Sequence, residues 1–289
     1  MAEQARPTVR SRQVSGELRR LRKKAGLTSG EVGARLGVSQ SKISRIETGA
    51  VGLRVEEIAA MLGLYHVPVT EREEILDLAR EAANPGWVQA RGPRLPDQWQ
   101  ALIEFERTAT ALWNYEPLWV PGLLQTSDYA RAIIDGTAAQ ERTESELDTK
   151  VAARLGRQGI LSRALPPELH VLLYEPALRV PVGGAAVMAG QLRYLLEVAR
   201  RPRVNVRVVP VRVGPHPGLE GPFMIMGFDA EATLVYLENR VQSIFLEEEP
   251  HIASYRLAWD GIAARALPPN LSAELITRLA AEWSRLSEE

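Results

Sequence analysis

The sequence predicts an α+β multidomain fold, in which an all-α domain of five helices precedes an α/β domain with flanking helices. Three observations predict this class. Residues 15–84 carry five short helical patterns, and residues 85–98 concentrate Pro and Gly without periodicity, as a linker does. Residues 99–289 then mix helical patterns with apolar, β-branched segments, as α/β domains do. Residues 1–14 are basic and poor in apolar side chains, so we expect a flexible basic arm there.

The helices of the first domain are located by residues that cap or stop a helix. The N-terminal caps are oxygen-bearing side chains before an apolar pattern, namely Ser15, Thr28 with Glu31, Ser39, and Thr70 with Glu73. The first helix stops at Gly26 and the third before Gly49, because glycine tolerates the left-handed backbone past a helix end. A fourth helix, at about 55–62, is indicated by periodicity alone.

The second domain contains both helical and strand patterns. The helical patterns cover roughly residues 99–114, 126–135, 144–162, 187–200 and 272–286. The strand patterns are apolar and β-branched, and they cover residues 170–175, 204–211, 222–228 and 233–238. Since the helix at 187–200 lies between the first two strands, we expect these two strands to be parallel and joined by that helix.

The composition excludes several classes of protein. A chain of 289 residues is long enough for about two domains with a sizeable core. Cys is absent, which excludes a disulfide framework, a thiolate zinc site and a Cys nucleophile. No apolar run suits a signal peptide or a membrane span, so we expect a cytoplasmic protein with no membrane contact. The four His are scattered and no carboxylates cluster, so neither a metal nor a cofactor is expected.

Charge is distributed unevenly along the chain, although the net charge is only -1. Residues 1–54 contain 12 Lys or Arg against 4 Asp or Glu, a net charge of +8. Residues 55–289 contain the other 23 basic residues against 32 acidic ones, a net charge of -9. Such a split favours a basic segment that faces an anionic polymer and an acidic body with a different task.

Residues 29–48 fit the helix-turn-helix pattern wherever packing restricts the residue type. Gly33 falls where the two helices cross closely, and Gly37 falls at the turn, where a positive φ favours glycine. The outward side chains of the second helix are amides, hydroxyls and cations, which suit base edges and phosphates; they are Gln40, Ser41, Lys42, Ser44 and Arg45. The alternative is a helical hairpin with an ordinary solvated polar face. In that case the two glycines, the capping box and the local positive charge would match the motif only by chance.

The stretch LRKKAGLTSGEVGARLGVSQSKISRIETG resembles the XRE-type, phage-repressor-like helix-turn-helix regulators. The resemblance implies four base-contacting residues, namely Gln40, Ser41, Ser44 and Arg45. It implies five residues that contact the DNA backbone, namely Arg22, Thr28, Ser29, Lys42 and Thr48. In such repressors Arg22 pairs with Glu47 and links the first helix to the end of the recognition helix. Ser29 departs from the glutamine common in the family, which weakens one phosphate contact and one brace.

Further segments resemble the actinobacterial WhiJ-type regulators in their order along the chain. They are YEPLWVPGLLQTSDYARAI, LYEPALR, VGG, QLRYLLEVA, VRVVP and HPGLEGPFMIMGF. The two resemblances together cover nearly the whole chain. They imply a DNA-binding regulator, and members of this group are often encoded beside a small acidic partner protein. They imply no established ligand for the second domain.

Polar residues near predicted strand ends form a candidate ligand or partner site in the second domain, because α/β sheets bind ligands there. They are Glu175, Arg179, Gln191 and His216. The alternative is structural: Glu175 and Arg179, four residues apart, form an ion pair, and the backbone of its own loop satisfies His216.

We hypothesise a sequence-specific transcriptional regulator, a repressor, that binds a roughly palindromic operator in double-stranded DNA as a homodimer. Its α/β domain binds a ligand or a small acidic partner protein, or mediates dimerisation. One alternative is an antitoxin-like or anti-regulator protein that sequesters a small partner, with DNA binding secondary. Another is an enzyme, because the His216 loop resembles part of a phospholipase D-like fold. Gly218 occupies the place of that fold's lysine, so no catalytic residue is expected.

Overall fold

The computed structural model describes residues 8–49, 53–81, 88–89, 95–138, 142–229, 232–239 and 243–288. The chain divides into two compact units. The first unit consists of Met1–Glu104, Asp229–Leu234 and Asn239–Ile252, and the second of Phe105–Phe228, Val235–Glu238 and Ala253–Glu289. Most of the linker predicted at residues 85–98 lies outside the described residues. The first unit also includes two segments from the second half of the chain, which the sequence did not predict.

The first unit contains the five helices that the sequence predicts. They are α1 (Val9–Lys24), α2 (Ser29–Leu36), α3 (Gln40–Glu47), α4 (Val55–Leu64) and α5 (Val69–Glu81). The apolar faces of these helices form one core, whose buried members include Leu18, Val32, Ile43, Ile58 and Ile75. The helical period of 3.6 residues places these side chains on one face of each helix. The predicted five-helix domain is therefore confirmed.

Helix α1 begins earlier than predicted. Its N-cap is Thr8, whose Oγ1 accepts a hydrogen bond at 3.1 Å from a backbone N–H of the first turn. Ser15, the predicted cap, is instead buried inside the helix. The flexible arm expected over residues 1–14 is therefore wrong for residues 9–14, which are helical; residues 1–7 lie outside the described part of the chain.

Segments that are distant in sequence hold the first turns of α1 within this unit. The backbone N–H of Val9 donates to Oε2 of Glu247 at 2.5 Å. Nη2 of Arg12 donates to the carbonyl oxygen of Ala232 at 2.7 Å, and both Val9 and Arg12 are buried. The local sequence does not indicate these partners, because they lie more than 200 residues further along the chain.

The rest of the chain contains six helices and seven strands among the described residues. The helices are α6 (Leu95–Thr108), α7 (Ser127–Gly136), α8 (Glu144–Arg157), α9 (Ala185–Val198), α10 (Glu249–Ala263) and α11 (Pro269–Leu286). The strands are β1 (Val88–Gln89), β2 (Ala111–Glu116), β3 (Glu168–Tyr174), β4 (Val204–Val209), β5 (Phe223–Gly227), β6 (Leu234–Glu238) and β7 (Ser243–Leu246). The sequence predicted neither α10 nor β1, β2 and β7.

The sheet of the second unit has the strand order β6, β5, β2, β3, β4. Strands β2, β3 and β4 are parallel, with Tyr115 opposite Leu172, and β5 is antiparallel to β2, with Tyr115 opposite Phe223. Helix α9 joins β3 to β4 and packs against α11, so the predicted parallel pair with its helix is confirmed. In the first unit, β1 and β7 pair antiparallel.

Strand β2 corrects the helix predicted over residues 99–114. Helix α6 ends at Thr108, and residues 111–116 form a strand between two neighbours, β3 and β5. Leu112 and Tyr115 are fully buried there. A central strand is buried on both faces, so it lacks the alternation of apolar and polar residues that indicates a strand in a sequence.

Candidate functional site

Two glycines shape the connection between α2 and α3. Gly37 has a φ of 68°, in the left-handed region that other residues seldom adopt. At Gly33 an added Cβ would lie 2.7 Å from the carbonyl oxygen of Val38 and 3.2 Å from the backbone nitrogen of Gln40. Because both are backbone atoms, neither can rotate away. Glycine therefore allows the close approach of α2 and α3, as the sequence predicts.

Side-chain caps fix the first residues of α2 and α3. The backbone N–H of Glu31 donates to Oγ1 of Thr28 at 3.2 Å, and the backbone N–H of Thr28 donates to Oε2 of Glu31 at 2.7 Å. This backbone hydrogen bond is the main reason that the pKa of the Glu31 carboxyl lies below its ordinary value. Oγ of Ser39 accepts from the backbone N–H of Lys42 at 3.2 Å. Both predicted caps are confirmed.

Helix α3 has one polar, exposed face and one buried face. The exposed side chains are Gln40, Ser41, Ser44 and Arg45. Within the described ranges none of the four makes a side-chain hydrogen bond or ion pair with the protein. Ile43, Ile46 and Glu47 are buried on the other side. The four predicted base-contacting residues therefore lie together on one helix face, with their donors and acceptors open to solvent.

A buried ion pair joins α1 to α3. Nε and Nη2 of Arg22 donate to the two carboxylate oxygens of Glu47, at 2.7 and 2.9 Å, and Nη1 donates to the carbonyl oxygen of Leu27 at 2.7 Å. The side chains of Arg22 and Glu47 are 11% and 3% exposed. The hydrogen bond that Arg22 donates to Glu47 is the main reason that the pKa of Arg22 is raised. The predicted pairing is confirmed, and it fixes the end of α3 against α1.

The other predicted backbone-contacting residues surround this helix pair. Ser29 is the half-buried first residue of α2, and Thr28 is its exposed cap. Oγ1 of Thr48, at the end of α3, donates to the carbonyl oxygen of Ser44 at 2.9 Å. Nζ of Lys42 donates to Oε1 of Glu57 on α4 at 2.6 Å. Lys42 is thus engaged with α4 in this structure, and its contact with a phosphate stays a prediction.

Glu175 and Arg179 are brought together as the structural alternative describes. Nε of Arg179 donates to Oε1 of Glu175 at 2.8 Å, and Oε2 of Glu175 accepts from the backbone N–H of Val211 at 3.0 Å. Burial acts to raise the pKa of the Glu175 carboxyl, but Val211 and Arg179 outweigh it and the pKa is lowered. One carboxylate oxygen of Glu175 therefore bonds to the segment that follows β3, and the other bonds to the segment that follows β4.

Gln191 also has a structural role, because its side-chain amide bonds to the backbone of a neighbouring segment. Its side chain is fully buried on α9. Oε1 accepts from the backbone N–H of Thr126 at 2.7 Å, and Nε2 donates to the carbonyl oxygen of Leu124 at 2.7 Å. The Gln191 amide therefore accepts one hydrogen bond from the segment before α7 and donates one to it. These two bonds hold that segment against α9.

His216 differs from the other three candidates. It is buried, and its Nδ1 accepts from the backbone N–H of Gly218 at 3.1 Å. Burial lowers the pKa of the imidazole. Its ring packs edge to face on Tyr115 and Tyr174. Among the described residues no direct contact joins His216 or Gln191 to the Glu175–Arg179 pair, and a site shared by the four residues stays a prediction.

The sequence missed several buried charges of the second unit. Nε and Nη2 of Arg157 donate to the carboxylate of Glu106 at 2.8 and 2.6 Å, and both side chains are nearly buried. Glu116 ends β2, and burial first, then the proximity of Glu238, raises the pKa of its carboxyl to about 8. The available signal is a glutamate that ends an apolar, aromatic segment, but the helix predicted over residues 99–114 includes the first part of that segment.

Two further observations concern only the described residues. No group of three or more His, Asp or Glu side chains is arranged as metal ligands would be. None of the helices is long and apolar enough to cross a membrane.

Comparison with known protein families gives matches for two successive regions of the chain. Residues 13–75 match a helix-turn-helix domain, the kind of domain found in DNA-binding regulators. Residues 99–278 match a domain of unknown function, DUF5753. No curated protein and no solved structure matches the chain. The matched family covers more than half of the sequence, and the chain therefore belongs to the DUF5753 family, with a helix-turn-helix domain ahead of its family domain.

Proposed function

We propose that the protein is a sequence-specific transcription regulator of the XRE type, which reads the major groove of DNA with α3. The exposed face of α3 carries this proposal. Its amide, hydroxyls and guanidinium make no bond to the described protein, so binding to base edges breaks no internal contact. The helix-turn-helix match at residues 13–75 supports the same function.

The proposal gives each residue of the motif a role. The residues that contact bases are Gln40, Ser41, Ser44 and Arg45. The residues that contact the DNA backbone are Arg22, Thr28, Ser29, Lys42 and Thr48. Lys42 can exchange Glu57 for a phosphate at small cost, because the ion pair between them is partly exposed. The charge of +8 over residues 1–54 supplies the salt-dependent part of the affinity.

The mode of regulation follows from the type of domain. We propose a homodimer that binds a roughly palindromic operator, since two-fold symmetry in the protein requires it in the DNA. Repression needs only that the bound dimer block a promoter. The second unit, which resembles that of the WhiJ-type regulators, binds a ligand or a small acidic partner protein, or holds the dimer together. The protein thus acts in the cytoplasm by binding, without catalysis.

Selection of genomic fragments by the full-length protein over a series of salt concentrations tests this function. The Gln40→Ala, Arg45→Ala double variant removes two base contacts. The Arg212→Ala variant is the control, because it removes an exposed guanidinium from the second unit. We expect a few sites with a shared palindrome, lost in the double variant and kept in the control.

The opposite result is also informative. Recovery of nothing, or of random DNA that dissociates uniformly with salt, would contradict sequence-specific regulation. It would favour the alternative in which the protein sequesters a small partner.

A further inference from the structure

The carboxyl edge of the sheet in the second unit is where a ligand is expected on topological grounds. Strands β2, β3 and β4 are parallel, so they all end at this edge, and β5 starts there because it is antiparallel to β2. Sheets with parallel strands bind ligands in the crevice outside their carboxyl ends. His216 lies in the segment that joins β4 to β5 at this edge.

Five aromatic side chains meet at the edge. Ring centroids are 4.9 Å apart for Tyr174 and His216, 6.2 Å for Tyr115 and His216, 5.8 Å for Tyr115 and Phe223, and 5.1 Å for Phe223 and Tyr255. We call this group the aromatic cluster. His216 and Tyr115 are buried, whereas Tyr174 and Tyr255 are partly exposed. The cluster therefore reaches from the interior to the surface.

The aromatic cluster contains two buried donors without an acceptor. Nδ1 of His216 accepts a hydrogen bond from Gly218, so the proton of the neutral ring is on Nε2. That Nε2 and the hydroxyl of Tyr115 are buried, and neither has a hydrogen-bond partner among the described residues. His216 is 7% exposed and Tyr115 is 0% exposed. A buried donor left unsatisfied costs about 1–3 kcal/mol, so both groups would gain from an acceptor oxygen.

Exposed apolar side chains concentrate around the same edge. Of the eleven large apolar residues exposed in the described chain, five lie in segments that leave or enter the sheet here. They are Leu118, Trp119, Val180, Val211 and Leu219. Apolar surface around a few polar groups is the usual composition of a small-molecule site.

The segment 214–221 carries His216 and packs against Tyr115. It begins at Gly214 and ends at Gly221, which have φ values of 70° and 128°. Glycine adopts positive φ values without steric cost. Gly218 packs directly on Tyr115: an added Cβ would lie 2.3 Å from Cζ and 2.4 Å from Oη. Apart from Gly218 and His216, its side chains are at the surface.

We propose that the aromatic cluster is the effector site of this regulator, for an uncharged molecule with an apolar body and a carbonyl oxygen. The proposal rests on the proposed function only in calling the bound molecule an effector. An ammonium carries only donors, so it would leave the N–H of His216 without an acceptor. The charges that act on the cluster have both signs, Arg265 near His216 and Glu220 near Tyr255, so they do not favour an anion.

The test uses three probes with the same ring and different head groups. They are cyclohexanone, cyclohexanecarboxylate and cyclohexylammonium, added to full-length protein labelled with ¹⁵N in histidine. The protein has four His, so the ring nitrogens of His216 are assigned by comparison with His216→Asn. We expect cyclohexanone to shift the His216 signals to saturation and to leave the other three unchanged. Saturable shifts with cyclohexanecarboxylate or cyclohexylammonium alone, or with none of the probes, would overturn the proposal.

Two variants separate a binding site from simple packing. Gly218→Ala places a Cβ against Tyr115 and displaces the segment that carries His216, so cyclohexanone should bind about tenfold more weakly. Tyr115→Phe keeps the ring and removes one donor, so binding should weaken about fivefold. Tyr194→Phe, which removes a hydroxyl that bonds to Gln158, is the control and should change nothing. Circular dichroism confirms that each variant is folded.

The outcomes distinguish this proposal from the proposed function. Equal affinity in Tyr115→Phe and in the unchanged protein would overturn the site, even if Gly218→Ala fails to fold. Binding of cyclohexanone is measured without DNA, so it stands or fails independently of the fragment selection. A saturable site in a protein that selects no DNA would contradict the regulator and leave the site in place.

Discussion

The guanidinium of Arg22 and the carboxylate of Glu47 form two parallel hydrogen bonds, 2.7 and 2.9 Å long, between the last turn of α1 and the last residue of α3. The first residue of α1, Val9, is bonded to Glu247 at 2.5 Å. Helix α1 therefore contacts α3 near its own end and the segment after β7 at its start, inside a single compact unit.

Replacement of Glu47 tests the first of these contacts. Glu47→Ala leaves the Arg22 guanidinium buried without its carboxylate, so the free energy of unfolding should fall by about 3–5 kcal/mol. Urea unfolding followed by circular dichroism measures it. Glu17→Ala is the control, because Glu17 forms a partly exposed pair with Arg20 and its loss should cost less than about 1 kcal/mol. Equal losses in the two variants would show that the buried pair is no stronger than an exposed one.

Arg45 tests the reading of bases. Arg45→Ala should weaken binding to the selected operator by about 1–3 kcal/mol and hardly change binding to random DNA. The reason is that an arginine at a base edge discriminates between sequences, whereas a phosphate contact does not. Titration of both DNAs at fixed salt measures the two affinities. The same loss on both would remove Arg45 from base readout.

Two glycines of α2 should respond in opposite ways to alanine. Gly33→Ala places a Cβ 2.7 Å from a backbone oxygen, and this overpacking should cost about 1–3 kcal/mol of stability and weaken operator binding. Gly30→Ala meets nothing closer than 3.9 Å and should stabilise the helix by about 0.5–1 kcal/mol. Thermal melts of the pair check the signs. A neutral Gly33→Ala would mean that α2 and α3 can separate without cost.

Glu247 tests the other end of α1. Glu247→Ala removes the acceptor of the Val9 N–H, and a hydrogen bond to a charged group contributes about 1.5–3 kcal/mol. We expect faster amide hydrogen exchange in the first turns of α1. Glu197→Ala, at an exposed position on α9, is the control. Unchanged exchange in Glu247→Ala would show that other contacts hold the start of α1.

Glu116 should make stability depend on pH. Burial, then Glu238, raises the pKa of this carboxyl to about 8 in the folded protein, against an ordinary value of 4.5; Asn114 and Arg154 act in the opposite direction. Between those values the folded protein binds the extra proton, so stability falls as pH rises through this window. Glu116→Gln should flatten the dependence of the melting temperature on pH, and Glu197→Gln should not. An unchanged slope would assign the dependence to another group.

The candidate site in the first unit could be predicted because its determinants are close in sequence. Thr28 caps a helix with Glu31, three residues away, and Gly33 meets the turn that follows within seven residues. The exposed face of α3 follows from helical period alone. The pair of Arg22 and Glu47 was found through resemblance, since no local pattern joins two residues 25 positions apart.

The second unit shows the limit of such reasoning. Glu175 and Arg179 proved to be a local ion pair, one of the two interpretations that their spacing allows. Gln191 and His216 were grouped with them only because all four were expected near strand ends. Their real partners, the segment before α7 and the aromatic cluster, come from other parts of the chain.

The sequence by itself determined the number and order of the five helices, the caps of α2 and α3, the two special glycines and the polar face of α3, because these depend on residues within one or two helical turns. The tertiary structure alone decided that α1 begins at Val9, that residues 111–116 form a central strand, and that two donors lie buried in the aromatic cluster. Burial and hydrogen-bond satisfaction depend on atoms brought together from distant parts of the chain, and no local pattern records which atoms those are.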